Sequence, residues 1–166
     1  MKLLDRTGYR TDPYRRDADA ELSDTLPLVP VGELDAALEA RNGQIGVEVP
    51  NTQAIEALIP HFDRLSLVAI AFPAFSDGRG FSIARRLRQA GFTGTLRAVG
   101  PLIADQFAYA LACGFDEIEL PDASAERQPV ELWQKAAGIM SAGYQRGYAT
   151  GPSILEQRRA ARRAAQ

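Results

Sequence analysis

Residues 76–82 read Ser-Asp-Gly-Arg-Gly-Phe-Ser, which sets a carboxylate, a guanidinium and two hydroxyls within one short segment. Gly78 and Gly80 permit backbone conformations that other residues resist, so successive N–H groups can converge on one point. Ser82 and Arg86 follow Arg79 at three and seven residues, a spacing that keeps all three on roughly one side of a helix. Guanidinium, hydroxyl and amide donors together suit sulfate, phosphate or carboxylate. Ser76, Gly78, Arg79, Gly80, Ser82 and Arg86 therefore form a candidate anion site, and Asp77 is the candidate acid or base. The same residues also spell a capped turn, with Ser76 or Asp77 at a helix N-terminus and the arginines on a solvated face. The segment is not a dinucleotide fingerprint, because the third glycine is missing, nor a P-loop, which ends in Gly-Lys-Ser/Thr.

Other reactive residues are sparse. Cys113, in "ALACGF", is the only cysteine, and its apolar neighbours favour a small buried side chain over a reactive thiol. One cysteine excludes an internal disulfide and a self-contained iron–sulfur or multi-cysteine zinc site. His61 is the only histidine and has no ligand-type companion nearby. Asp77, Asp105 and Asp122 each fall just beyond an expected strand and could together suit magnesium, although Asp105 could equally pair with an arginine. No metal site and no tightly held cofactor is assigned, and no Gly-x-Ser-x-Gly nucleophile pattern occurs.

The elements that must position these residues follow from hydrophobic period. Apolar, β-rich runs occur at 27–31, 44–49, 65–72, 95–99 and 115–120. Helix-period stretches lie between them at 32–43, 51–65, 81–91 and 102–114, and a further amphipathic helix spans 129–148. Asn51 is a candidate helix cap; Gly43, Gly91 and Gly114 stand where helices should stop; Pro60 should end or bend its helix early. The pattern predicts an α/β fold: one mainly parallel sheet of four to five strands alternating with helices, plus a C-terminal helix. An open sheet is preferred, with a partial barrel as the alternative. Residues 25–150 form the domain, 1–24 an N-terminal arm with a short strand near "KLLD", and 151–166 a polar tail. "LVAIAF" is apolar throughout and belongs at the sheet centre. "GVEV", "LRAV" and "DEIEL" alternate, placing Glu48, Arg97, Glu117 and Glu119 on a second face. An open or edge position explains those charges best; a polar cavity is the alternative.

The 166 residues carry a net charge of −2, which argues against nucleic acid as a main partner. The charge is uneven: residues 25–78 hold seven acids and two bases, 79–100 five arginines and no acid, and 101–131 seven acids and one base. No apolar run approaches a membrane span and the N-terminus lacks a signal-peptide core, so the expectation is a cytoplasmic protein without a membrane partner.

"FPAFSDGRGFSIARRLRQAGFTGTLRAVG" followed by "DQFAYALACGFDEIEL" resembles the bacterial family known as domain of unknown function 934. The likeness covers roughly residues 26–150 and is strongest over 71–120, with matches from Phe75 through Ser82 and at Arg97, Gly100, Asp105, Gln106, Cys113 and Gly114. Members are commonly encoded beside assimilatory sulfite reductase, and the resemblance implies a bacterial oxidoreductase-type role in sulfite reduction and sulfur assimilation. It transfers no catalytic residue. Reduction of sulfite to sulfide moves six electrons through sirohaem and an iron–sulfur cluster, which one cysteine cannot hold. The expectation is therefore an accessory protein that binds a small oxyanion, or sulfite reductase itself, through the SDGRGFS loop. A small enzyme acting on a phosphorylated or sulfated substrate, with Asp77 as acid or base, is one alternative. An interaction module that uses the Arg-rich helix and tail is the other.

Overall fold

The computed structural model describes residues 1–16 and 25–139. Among the described residues eight strands form one sheet: β1 (Lys2–Asp5), β2 (Gly8–Arg10), β3 (Tyr14–Arg15), β4 (Leu26–Pro30), β5 (Ile45–Val49), β6 (Leu65–Ala71), β7 (Thr95–Val99) and β8 (Glu117–Leu120). Their order is β2-β1-β8-β7-β6-β5-β4-β3. From β3 to β8 each strand pairs in parallel with the next in sequence, while β1 closes onto β8 antiparallel and carries β2 as an antiparallel edge. The expected α/β class holds, but the strand number exceeds four to five. The extra strands are β1, the short strand expected near "KLLD", and β2 and β3, short polar segments that no hydrophobic run announces.

A sequential order without reversal has a consequence for layering. Right-handed crossovers that always step the same way leave every helix on the same face. Accordingly Val68 and Ile70 of β6, Leu96 and Ala98 of β7, and Ile118 and Leu120 of β8 share one core with the helices. Those helices are α1 (Leu34–Ala40), α2 (Arg79–Gln89), α3 (Phe107–Cys113), α4 (Asp122–Arg127) and α5 (Val130–Ile139). Leu28, Leu67 and Ala69 point to the other face, where Tyr14 and Val99 pack on them. The sheet is an open, curled half-barrel. Its curl is visible in one contact: Arg16 binds Glu48 on β5 and Glu119 on β8, at 2.7 Å each. In a flat sheet those strands would stand about 14 Å apart.

As expected, β6 is central, with Leu67, Val68, Ala69 and Ile70 all fully buried. Helices α2 and α3 end at Gly91 and Gly114, both with positive φ, in paired backbone bonds of the Schellman type. Gly43 has no such role, because α1 stops at Ala40 and Arg41 is extended. The helix expected over 51–65 is absent, replaced by two 3-10 turns, Ile55–Ala57 and Ile59–His61. Pro60 lacks the N–H that an α-helix needs and would crowd the carbonyl four residues earlier. Asn51 consequently caps nothing. The helix expected over 129–148 is seen as α5, with Trp133 buried against Phe107 at 5.6 Å; Met140 and Tyr144 lie outside the described residues, as does the 151–166 tail. Among the described residues, no helix is long and apolar enough to cross a membrane.

Candidate functional site

The loop from β6 to α2 emerges at the C-terminal rim of the parallel strands. Its two glycines owe their place to geometry other than an anion nest. Gly78 sits at φ −81° and Gly80 lies inside α2, so neither takes the left-handed conformation that would turn successive amides to one point. Gly80 is required by packing: a methyl there would overlap the Phe72 ring. Phe72 in turn meets Phe81 in a tilted contact at 4.9 Å and Phe115 edge-on at 5.8 Å, which anchors the start of α2 to the sheet.

Three of the loop amides are engaged within the loop. Asp77 donates its N–H to the Ala74 carbonyl, Phe81 its N–H to Gly78, and Arg79 its N–H to the Asp77 carboxylate. The Arg79 side chain folds back on the same carboxylate, with Nε at 3.0 Å and Nη2 at 2.6 Å. Hydrogen bonds from the Arg79 side chain and amide hold the Asp77 carboxyl well below the usual carboxylate range. Asp77 is thus ionised at any ordinary pH and is a weak proton acceptor. Ser76 is exposed, and Ser82 and Arg86 stand further along α2, with Arg86 bound to Glu56 at 2.7 Å. The six candidate anion residues do not converge on one point.

Nor does the arginine block create an unopposed field. Arg79 pairs with Asp77, Arg86 with Glu56, Arg88 with Asp116, and Arg97 with Asp12, Glu117 and Glu119. Apart from Asp12, these acids come from the two acidic blocks that flank the arginines in sequence. Folding matches one block to the others. The supposed carboxylate trio also disperses: Asp77 is taken by Arg79, Asp122 binds the terminal ammonium at 2.9 Å, and Asp105 is exposed. Among the described residues, no His, Cys, Asp and Glu group of three could hold a metal. His61 lies 3.8 Å from Asp35, on a part-exposed side chain.

Two features escaped sequence reading. The first is the charge layer on the helix-free face. Arg97, Glu117 and Glu119 are neither open to water nor at an edge: their strands are internal, and all three side chains are buried. The N-terminal arm covers them. Asp12 takes two bonds from Arg97, Tyr14 lays its ring 5.5 Å from the Arg97 guanidinium, and Arg16 ties Glu119 to Glu48. Burial pushes the Glu117 carboxyl up, with Arg97 pulling it back in part. Burial also works to raise Asp12, but hydrogen bonds from Arg97 and the Tyr14 amide outweigh it and leave that carboxyl low. The alternating charges in β5, β7 and β8 were the available signal; the cover came from residues 12–16, far away in sequence.

The second feature is a rim held by glutamines. Gln106 donates to the Phe75 carbonyl at 2.7 Å and accepts from the Ile103 amide, and Gln128 clamps residues 102 and 104. The Phe75 ring above this brace is 54% exposed, and Ile103 is 37% exposed. Cys113 is buried as expected, yet it borders a cleft between α2 and α3.

A family model described as a bacterial protein of unknown function (DUF934) matches residues 46–154, and the chain belongs to that family. Comparison with curated proteins and with solved structures gives no match.

Proposed function

We propose that this DUF934 protein is a non-catalytic accessory component of assimilatory sulfite reduction that docks on the reductase through the β6–α2 loop. The observation that carries the reading is Phe75: a large aromatic ring, 54% exposed, on a loop braced from below by Gln106. Exposed aromatics next to arginine are the residue types that dominate binding energy at protein interfaces. A pre-set loop also loses little conformational freedom on association. The paired Asp77 and Arg79 beside it offer both signs of charge at the rim, which favours orientation over capture of a free ion. An enzymatic role for Asp77 is disfavoured by its low proton affinity. The sulfite-reduction setting rests on the family resemblance.

The test is binding of the full chain to purified assimilatory sulfite reductase. Phe75→Ala, at a side chain more than half exposed, is expected to weaken capture about thirtyfold, the effect of losing a hot-spot aromatic. Unchanged capture by Phe75→Ala and Arg79→Ala together removes this loop as the contact. A visible flavin or sirohaem band in the purified protein would instead overturn the non-catalytic assignment.

A further inference from the structure

The sheet ends at β2, a strand with no described neighbour on its outer side. It is joined to β1 by a two-residue turn, Arg6 and Thr7, with Asp5 opposite Gly8 and Leu3 opposite Arg10. In such a hairpin these two pairs exchange main-chain hydrogen bonds, and the pair between them, Leu4 and Tyr9, does not. Tyr9 therefore turns its N–H and C=O outward, and the residue is 46% exposed. A cleft of about 480 Å3 lies beside this edge, lined by Lys2, Leu3, Tyr9, Arg10 and Thr11 together with Asp12 and Glu119.

Charge around this edge is one-sided. Residues 1–16 carry five bases and two acids. Lys2 and Arg6 are exposed and make no ion pair among the described residues, while Arg10 pairs with Asp5. The two carboxylates of the cleft are already taken. Asp12 holds Arg97 with both oxygens, and Glu119 meets Arg16 with both and Arg97 with one. The Met1 ammonium, also at the cleft, is answered by Asp122. Lys2 is left as the charge in the lining without a counter-ion. A strand edge flanked by cations repels a second copy of itself. It accepts a strand of opposite charge, which gains main-chain bonds along the edge and ion pairs beside it.

We propose that the outer edge of β2 docks an acidic, extended peptide segment of a partner protein, which adds a strand along Tyr9 and sets a carboxylate against Lys2 in the cleft. Main-chain pairing supplies the fit to a peptide, and Lys2 and Arg6 supply the preference for its charge. The edge shares no residue with the β6–α2 loop, so the proposal does not depend on the docking reading of that loop.

The full chain is titrated into three fluorescein-labelled octapeptides and binding is read by anisotropy. One alternates Glu and Val, one Lys and Val, and one Glu and Pro; the last keeps the acidic charge but lacks every second N–H. Expected are saturation by the Glu-Val peptide at one per chain, binding about tenfold weaker for the other two, and slowed hydrogen exchange at the Tyr9 amide. Tyr9→Pro removes the outward N–H at an edge position, where proline is tolerated, and should weaken binding about tenfold. Lys2→Glu, at an exposed side chain, should weaken it about fivefold at low salt, and it carries the test if Tyr9→Pro does not fold. Absence of saturation, equal binding of the Glu-Pro peptide, or unchanged affinity in the folded variants overturns the proposal. Self-association of the chain that Tyr9→Pro abolishes overturns it as well, because the edge would then belong to a second copy.

Discussion

Arg97 has no exposed surface, and its donors are divided among partners on different elements: Nε to Glu117, Nη1 to Glu119 and Asp12, Nη2 to Asp12. Replacing it with Met leaves the buried Glu117 carboxylate without its cation and Glu119 with Arg16 alone, which should cost about 3–5 kcal/mol of stability in urea denaturation. Arg97→Lys should recover only part of this, because one ammonium cannot serve three carboxylates in a forked geometry. The acids around it respond to pH in opposite directions. Asp12 and Asp77 have folded values held below the ordinary 3.8, so the stability they add is complete above that value. It is lost as the pH falls through their lower folded values. Glu117 is raised above 4.5, so its protonation favours the folded state as the pH falls toward that value. A denaturation series run down through the acid range should therefore show stability falling below pH 3.8, with a shallower fall in Asp12→Asn. An unchanged acid limb in that variant would mean that the arm contact contributes nothing.

At the scale of elements, the two glycines of the SDGRG segment separate cleanly. Gly80→Ala drives a methyl into the buried Phe72 ring and should cost about 1–3 kcal/mol, as overpacking does. Gly78→Ala meets nothing closer than 3.8 Å at an ordinary φ and should stay within about 0.5 kcal/mol. Thermal denaturation of the two variants checks the pair; equal effects would return the segment to a nest-like reading. The ends of α2 and α3 were legible because Gly91 and Gly114 act locally, each through its own backbone conformation. The segment 51–65 was not, because its apolar spacing fits a helix while one proline inside it diverts the chain into 3-10 turns. Short strands β2 and β3 carry no apolar run and exist because a neighbouring edge pairs with them.

The whole molecule is organised by an order of strands that never reverses. With the helices of the described residues on one face, the other face of the half-barrel is closed by the N-terminal arm, pinned by Asp12, Tyr14 and Arg16. Asp12→Asn combined with Arg16→Gln should release the arm without dissolving the helix-side core. Hydrogen exchange is then expected to speed up across residues 11–16 while α2 and α3 keep their protection; a uniform loss would show that arm and core unfold together. The docking experiment also belongs to this scale, since the loop draws on elements that come together only in the folded protein.

The sequence by itself determined what depends on near neighbours. The alternation of strand and helix, the central place of the apolar strand β6, the glycine stops of two helices and the burial of Cys113 all follow from residue type and period along a few turns of chain. Tertiary structure decided what depends on distant partners. Which acid meets each arginine, how far the sheet curls, and that residues 12–16 lie over Arg97 are set by strand order and packing, through contacts such as Asp12 to Arg97, 85 positions apart. Charge acts through space while the sequence orders it along a line, and for that reason the arginine block suggested an anion field where the fold had already supplied most of the anions.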